Sequence, residues 1–222
     1  SNMGTTMFGA IDNPSDYIDI LEKHDLKYKL HVDAAYGGFV YPFSNKASEI
    51  NFENPKISSI TIDAHKMLQA PYGTGVFICR KGLIENVLTK EAEYVEGMDL
   101  TLCGSRSGSN AVAVWMILFT YGPFRWCEKI RVLQMRTEWL CEQLDALDVK
   151  YFREPFMNIA TIQAEYITSE LVKKFDLVPQ KHDENNQWYK IVIIDHVEID
   201  HLITFITDLK TTIQEKNKTV QV

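Results

Sequence analysis

The chain has 222 residues, a formal net charge of -7 and 45% hydrophobic residues. That length is enough for one or two domains with a packed core, and the hydrophobic share argues against disorder. The acidic balance, with no Lys/Arg cluster, argues against a nucleic-acid partner, and the longest apolar run, 111–119, is too short to span a bilayer.

Ser1-Asn2 ahead of Met3 reads as the remnant of a cleaved tag, and no basic region with an apolar segment follows as in a signal peptide. Residues 4–11 read as a strand end and a Gly-rich turn. Asp12-Asn13-Pro14 offers a cap and a proline at the first helical position, so 14–24 is expected to be a helix with Tyr17, Ile18 and Leu21 on its apolar face. Strands are expected at 28–34, 57–63 and 76–80, with a loop at 41–43, a short helix at 44–51 and a turn at 71–75. Alternation of strand and helix predicts an α/β fold with a mostly parallel sheet.

Residues 88–104 carry charges and little periodicity, as lids and binding loops do. Ser109 is expected to cap a helix through Tyr121 that is apolar nearly all round and therefore buried. Gly122-Pro123 breaks it. A long amphipathic helix then covers 124–147, with Trp126, Ile130, Leu133, Leu140, Leu144 and Leu147 on one face. Strands at 149–153, 158–165 and 188–195 alternate with helices at 168–176 and 198–214, and 180–187 reads as a solvated loop. Residues 123–222 thus form a smaller α+β domain. The cysteines show no CxxC spacing and the histidines no metal pattern, which points to reduced thiols in a cytoplasmic protein.

Two strand ends carry ionisable groups. Ser58 to Ile62 is an apolar, β-branched run leading to Asp63-Ala64-His65-Lys66. A lysine there is either a solvated strand end or an amine in a partly dry pocket, where a neutral amine attacks aldehydes such as pyridoxal phosphate. Leu30 to Val32 leads likewise to Asp33-Ala34-Ala35-Tyr36-Gly37-Gly38. Asp33 either caps its turn or pairs with a pyridinium nitrogen, which would make the ring an electron sink; Ala35 is small enough for a flat ring to lie against. Both fit the rule that ligands sit at strand carboxyl ends.

HVDAAYGGF followed by SITIDAHKML resembles the group II pyridoxal-phosphate-dependent amino-acid decarboxylases, of fold type I. Gly4-Thr5-Thr6, Gly9-Ala10-Ile11-Asp12, Gly73-Thr74-Gly75-Val76, Gly104-Ser105-Arg106-Ser107-Gly108 and Glu154-Pro155-Phe156-Met157-Asn158-Ile159 extend the match, the last two toward the archaeal-type tyrosine/aspartate decarboxylases. The resemblance implies pyridoxal 5'-phosphate as cofactor, an amino-acid substrate and a homodimer. It implies that Lys66 bears the cofactor, Asp33 meets its ring nitrogen, and Ala35, His65, Thr6 and Thr74 lie beside it. Tyr94 would return a proton to the substrate, and Arg106 would brace the site. The rivals are an aminotransferase or carbon–carbon lyase of the same fold type, and a non-catalytic product that only self-associates.

The family's enzymes are longer, and in them the phosphate-cradling turn and the group stacked on the ring precede the segment that this chain matches. Residues 1–122 are therefore expected to be a partial cofactor-binding domain with a mixed sheet. The fragment alone is expected to be inactive and to bind cofactor weakly.

Overall fold

The computed structural model describes residues 1–87, 106–181 and 185–220. They form two compact units: residues 1–3, 12–39 and 47–123, and residues 4–11, 40–46 and 124–222.

The first unit begins with helix α1 (Pro14–Lys23), started as its sequence demands: the Asn13 side chain accepts from Ser15 N and Pro14 sits at the first turn. A three-stranded sheet follows, from β1 (Leu30–Asp33), β2 (Ile57–Asp63) and β3 (Gly75–Cys79), in the order β1-β2-β3. β1 and β2 are parallel, with Asp33 opposite Thr61. β2 and β3 are antiparallel, with Asp63 opposite Gly75. The sheet is therefore mixed, as expected of the partial cofactor-binding domain, although strand–helix alternation alone suggests a mostly parallel one. The reason is connection length: residues 64–74 are tight turns, too few for the crossover that a parallel strand needs, whereas 34–56 leave room for one.

One face of this sheet is apolar, with Val32 and Ile60 buried. The other carries His31, Asp33, Ser59, Thr61, Asp63 and Phe77, because side chains alternate along each strand. Gly37 and Gly38 allow the turn after β1 to close. A Cβ at Gly37 would lie 2.2 Å from the Met3 carbonyl oxygen, and one at Gly38 would lie 2.9 Å from the Ile62 side chain. The Gly37 amide donates to that same Met3 oxygen at 3.0 Å.

Helix α3 (Gly108–Ala146) is broken at Gly122, whose φ of 58° and ψ of 178° leave the helical region just before Pro123. Its start lies one residue before the expected cap: Ser107 Oγ, not Ser109, accepts from Asn110 N at 3.3 Å. The segment before the break, expected to be buried, is not. Trp115 is 60% exposed and Phe119 76%, with Val112, Met116 and Leu118 also exposed. Between Ala111 and Tyr121 only Ala113, Val114 and Ile117 are half-buried, the width of stripe that one neighbouring surface covers.

In the second unit, α2 (Tyr41–Ser44) replaces the expected helix over 44–51, and the expected loop at 41–43 is that helix. Pro42, at its first turn, suits the start of a helix and fixes it there. The remaining strands are β4 (Tyr151–Phe152), β5 (Ile159–Gln163), β6 (Val178–Pro179) and β7 (Trp188–Val192), in the order β4-β5-β7-β6, all antiparallel. β6 is not anticipated by the sequence pattern; two residues are too few to show a period. Helices α4 (Ser169–Phe175) and α5 (Ile199–Val220) and the later part of α3 supply Leu171, Leu202, Phe205, Leu209, Leu140 and Leu144, which close with Ala160, Ile162 and Ile193 into one core. Residues 4–11 belong to this unit too: Phe8 meets Phe152 and Trp188 edge-on, each with ring centroids 5.7 Å apart. Among the described residues no helix is long and apolar enough to cross a membrane.

Candidate functional site

Asp33, Ala35, His65, Lys66 and Thr74 all lie in the first unit, around the carboxyl ends of β1 and β2. Asp33 ends β1 with its side chain exposed. Its Oδ1 accepts from Ala35 N at 3.0 Å, so the turn-capping role is realised. Among the described residues, the second oxygen, Oδ2, remains for another donor. The backbone around it is held from both sides: Met3 N donates to Asp33 O, and Asp33 N donates to Ser1 O. Ala35 is half-buried, and its carbonyl accepts from Asp63 N at 3.1 Å.

Lys66 follows β2 in a turn closed by its own amide on Asp63 O at 3.2 Å. The turn brings its amine to 3.1 Å from Asp63 Oδ2. The Lys66 side chain is 41% exposed, so in this chain the amine is ion-paired at a surface rather than enclosed in a dry pocket. Sequence reasoning missed Asp63. Its signal is there, a carboxylate three residues before the lysine, the spacing of one turn.

His65 is held by Nδ1, which lies 2.7 Å from Thr74 O. A carbonyl only accepts, so Nδ1 carries a proton, and in the neutral ring Nε2 is an acceptor. Nε2 lies 3.8 Å from Asp63 Oδ2. Thr74 is buried, and its hydroxyl donates to Pro71 O at 2.8 Å. That hydroxyl is spent on closing the 71–74 turn rather than presented to a phosphate.

His31, two residues before Asp33 on the same face, is fully engaged. Nδ1 lies 2.8 Å from Ser59 Oγ, Nε2 lies 3.3 Å from Thr61 Oγ1, and the ring stacks on Phe77. Thr6 belongs to the second unit, where its carbonyl accepts from Lys190 Nζ at 2.8 Å. Arg106 is exposed just ahead of α3. Tyr94 lies outside the described residues. Among the described residues no group of three or more His, Cys, Asp or Glu side chains is placed to hold a metal ion.

A family model described as the pyridoxal-dependent decarboxylase conserved domain matches residues 1–152. The chain is 56% identical over 210 residues to a tryptophan decarboxylase of Clostridium sporogenes, covering 95% of this chain and 50% of that protein. It is 34% identical over 221 residues to a probable L-tyrosine/L-aspartate decarboxylase of Methanocella arvoryzae, covering 95% and 56%. Among solved structures, the glutamate decarboxylase of Lactobacillus brevis superimposes with a TM-score of 0.80 at 20% identity, over 96% of this chain and 54% of that one. The chain thus spans about half the length of the curated relatives it matches, and the structural likeness supports the fold type I architecture.

Proposed function

Since the chain belongs to the pyridoxal-dependent decarboxylase family, we propose that it carries the cofactor-bearing lysine of an amino-acid decarboxylase acting on an aromatic or acidic L-amino acid. The observation that carries this is the placement of Asp33 at the end of β1 and of Lys66 in the turn that follows β2, its adjacent parallel neighbour.

The donor set suits pyridoxal 5'-phosphate. Lys66 offers a primary amine that can condense with an aldehyde. Asp33 offers a free Oδ2 able to hold a proton at a pyridine nitrogen, and Ala35 offers a small surface beside it. Each expected cation has its own carboxylate, Asp33 for the ring nitrogen and Asp63 for the amine. When bound, the cofactor supplies an electron sink for the bond that releases carbon dioxide. His65, oriented by Thr74 O, presents Nε2 at the edge of the same cluster. Thr6 keeps its proposed place beside the cofactor through the resemblance, as Tyr94 keeps that of proton donor to the substrate Cα and Arg106 that of brace. Thr74 contributes by orienting His65 rather than by its hydroxyl.

The relatives' activity belongs to proteins about twice this length, so turnover is proposed for the chain together with that other half. A two-fold dimer is also proposed, supported by exposed Trp115 and Phe119. A cytoplasmic setting is supported by the free thiols Cys79, Cys127 and Cys141.

The test is cofactor trapping. The 222-residue chain is incubated with pyridoxal phosphate, reduced with borohydride and mapped by peptide mass. A pyridoxyl adduct on Lys66, absent in a folded Lys66→Ala variant and unaccompanied by turnover, is the expected result. Stoichiometric labelling elsewhere would remove Lys66 from the site. With the other half supplied, L-tryptophan, L-tyrosine and L-aspartate are then assayed for amine and carbon dioxide; a 2-oxo acid product would make the protein an aminotransferase instead.

A further inference from the structure

We propose that Asp63 is the positioning residue for the Lys66 amine, the carboxylate that holds it whenever it is not covalently engaged. This rests on the reading of Lys66 as the cofactor-bearing lysine. Asp63 is the last residue of β2 and is fixed by its backbone at both sides: its amide donates to Ala35 O, and its carbonyl accepts from Lys66 N. The second bond closes the turn that folds Lys66 back over Asp63. The carboxylate is only 22% exposed, and Oδ2 has the Lys66 amine at 3.1 Å and His65 Nε2 at 3.8 Å.

The neighbouring strand makes room for it. Opposite Asp63 on β3 stands Gly75, where a Cβ would sit 3.6 Å from Asp63 Oδ1. Just past the end of β1 is Ala35, whose carbonyl accepts from the Asp63 amide, and Asp33 lies two residues before it on the same face as Asp63. The two carboxylates are therefore offset by about 7 Å along the strands and about 4.8 Å across them. Lys66 is tethered to the nearer one by a three-residue turn. A lysine that is to hold a cofactor needs its amine kept near the strand ends while it is not engaged. Asp63 gives it a defined resting point at the strand ends instead of a free side chain sampling solvent.

The experiment needs no cofactor. The chain is treated briefly with formaldehyde and cyanoborohydride, and the methylation rate of each lysine is read by mass. Exposed Lys81 and Lys173 serve as internal references. In Asp63→Ala, Lys66 methylation is expected to rise at least threefold relative to the references. Asp63→Glu should restore protection in part, and Asp33→Ala should leave Lys66 unchanged. An unchanged Lys66 rate in Asp63→Ala, or an equal rise at every lysine, overturns the proposal. Pyridoxal phosphate trapping on the wild-type chain separates the two ideas. Raised methylation together with trapping at Lys66 supports both. Raised methylation with trapping only elsewhere overturns the cofactor reading, and with it the positioning role of Asp63.

Discussion

The two sheets of this chain are built on different terms. In the C-terminal unit, Leu144, Ile162, Ile193 and Leu209 have no exposed surface, and the helices that bury them belong to the same unit. In the N-terminal unit, β3 shows Phe77 at 55% exposure on one face and Ile78 at 43% on the other. Asp33, Asp63, His65 and Lys66 all lie at the strand ends of the N-terminal sheet or in the turn that follows them. The contrast separates stability from chemistry. Burial of apolar side chains holds the C-terminal unit together, at about 1.5–3 kcal/mol for each fully buried one. The strand ends of the N-terminal unit keep carboxylates, an amine and imidazoles at a surface, where ionised groups are solvated and accessible.

Truncating one side chain in each unit tests that contrast most severely. Leu144→Ala should cost about 2–5 kcal/mol in denaturant unfolding, since it opens a cavity in a closed core. Phe119→Ala, on the exposed segment of α3, should change stability by about 0.5 kcal/mol or less, while reducing self-association in light scattering. Equal losses in the two variants would mean that the exposed segment is packed in solution.

Gly37→Ala tests whether the turn beneath the site is as tightly built as the C-terminal core. Its new methyl would meet the Met3 carbonyl oxygen at 2.2 Å, so backbone must move. We expect a loss of about 1–3 kcal/mol, with Lys66 trapping impaired as Asp33 shifts. Gly82→Ala is the control. Space there is open, and only the positive φ of 86° resists a side chain, which costs about 1 kcal/mol and should leave trapping intact.

A pH slope in the C-terminal unit is expected to be weaker than any of these effects. Burial pushes the Glu154 carboxyl above its ordinary value of 4.5, only partly offset by the hydrogen bond from Ile11 N. The folded chain then binds more protons than the unfolded one just above pH 4.5, so this group's contribution falls as pH rises through that window and is level beyond it. Glu154→Gln keeps an acceptor for Ile11 N and removes the slope. Its melting temperature should exceed the wild type's at about pH 7 and converge with it at about pH 4. Parallel curves would show that Glu154 ionises as freely folded as unfolded.

Much of the fold is legible in local patterns. Asn13-Pro14 marks the start of α1, the run Ile57 to Asp63 marks β2 to the residue, and Gly122-Pro123 marks the break in α3. Lys66 and Asp33 are legible as ionisable groups closing apolar strands. Three features are not. The antiparallel pairing of β3 depends on how the 64–74 turns fold. α2 is displaced because a four-residue helix has too short a period to read. The exposure of the all-round apolar segment of α3 is hidden because hydrophobicity shows what a helix can bury, not whether a neighbour is present.

Local sequence settles the elements that rest on neighbours in the chain: caps, turns, strand periodicity and the three-residue spacing from Asp63 to Lys66. It also carries the family, because HVDAAYGGF and SITIDAHKML are local strings. Which of those groups meet is settled only by packing. Packing sets Asp33 opposite Thr61 and Asp63 opposite Gly75, puts the Asp63 amide on the Ala35 carbonyl and holds His65 Nδ1 on the Thr74 carbonyl. The physical reason is range. Propensity, capping and the Asp63–Lys66 pair act within a turn or two of chain, while strand register and the contacts between strands are fixed only when distant segments lie side by side.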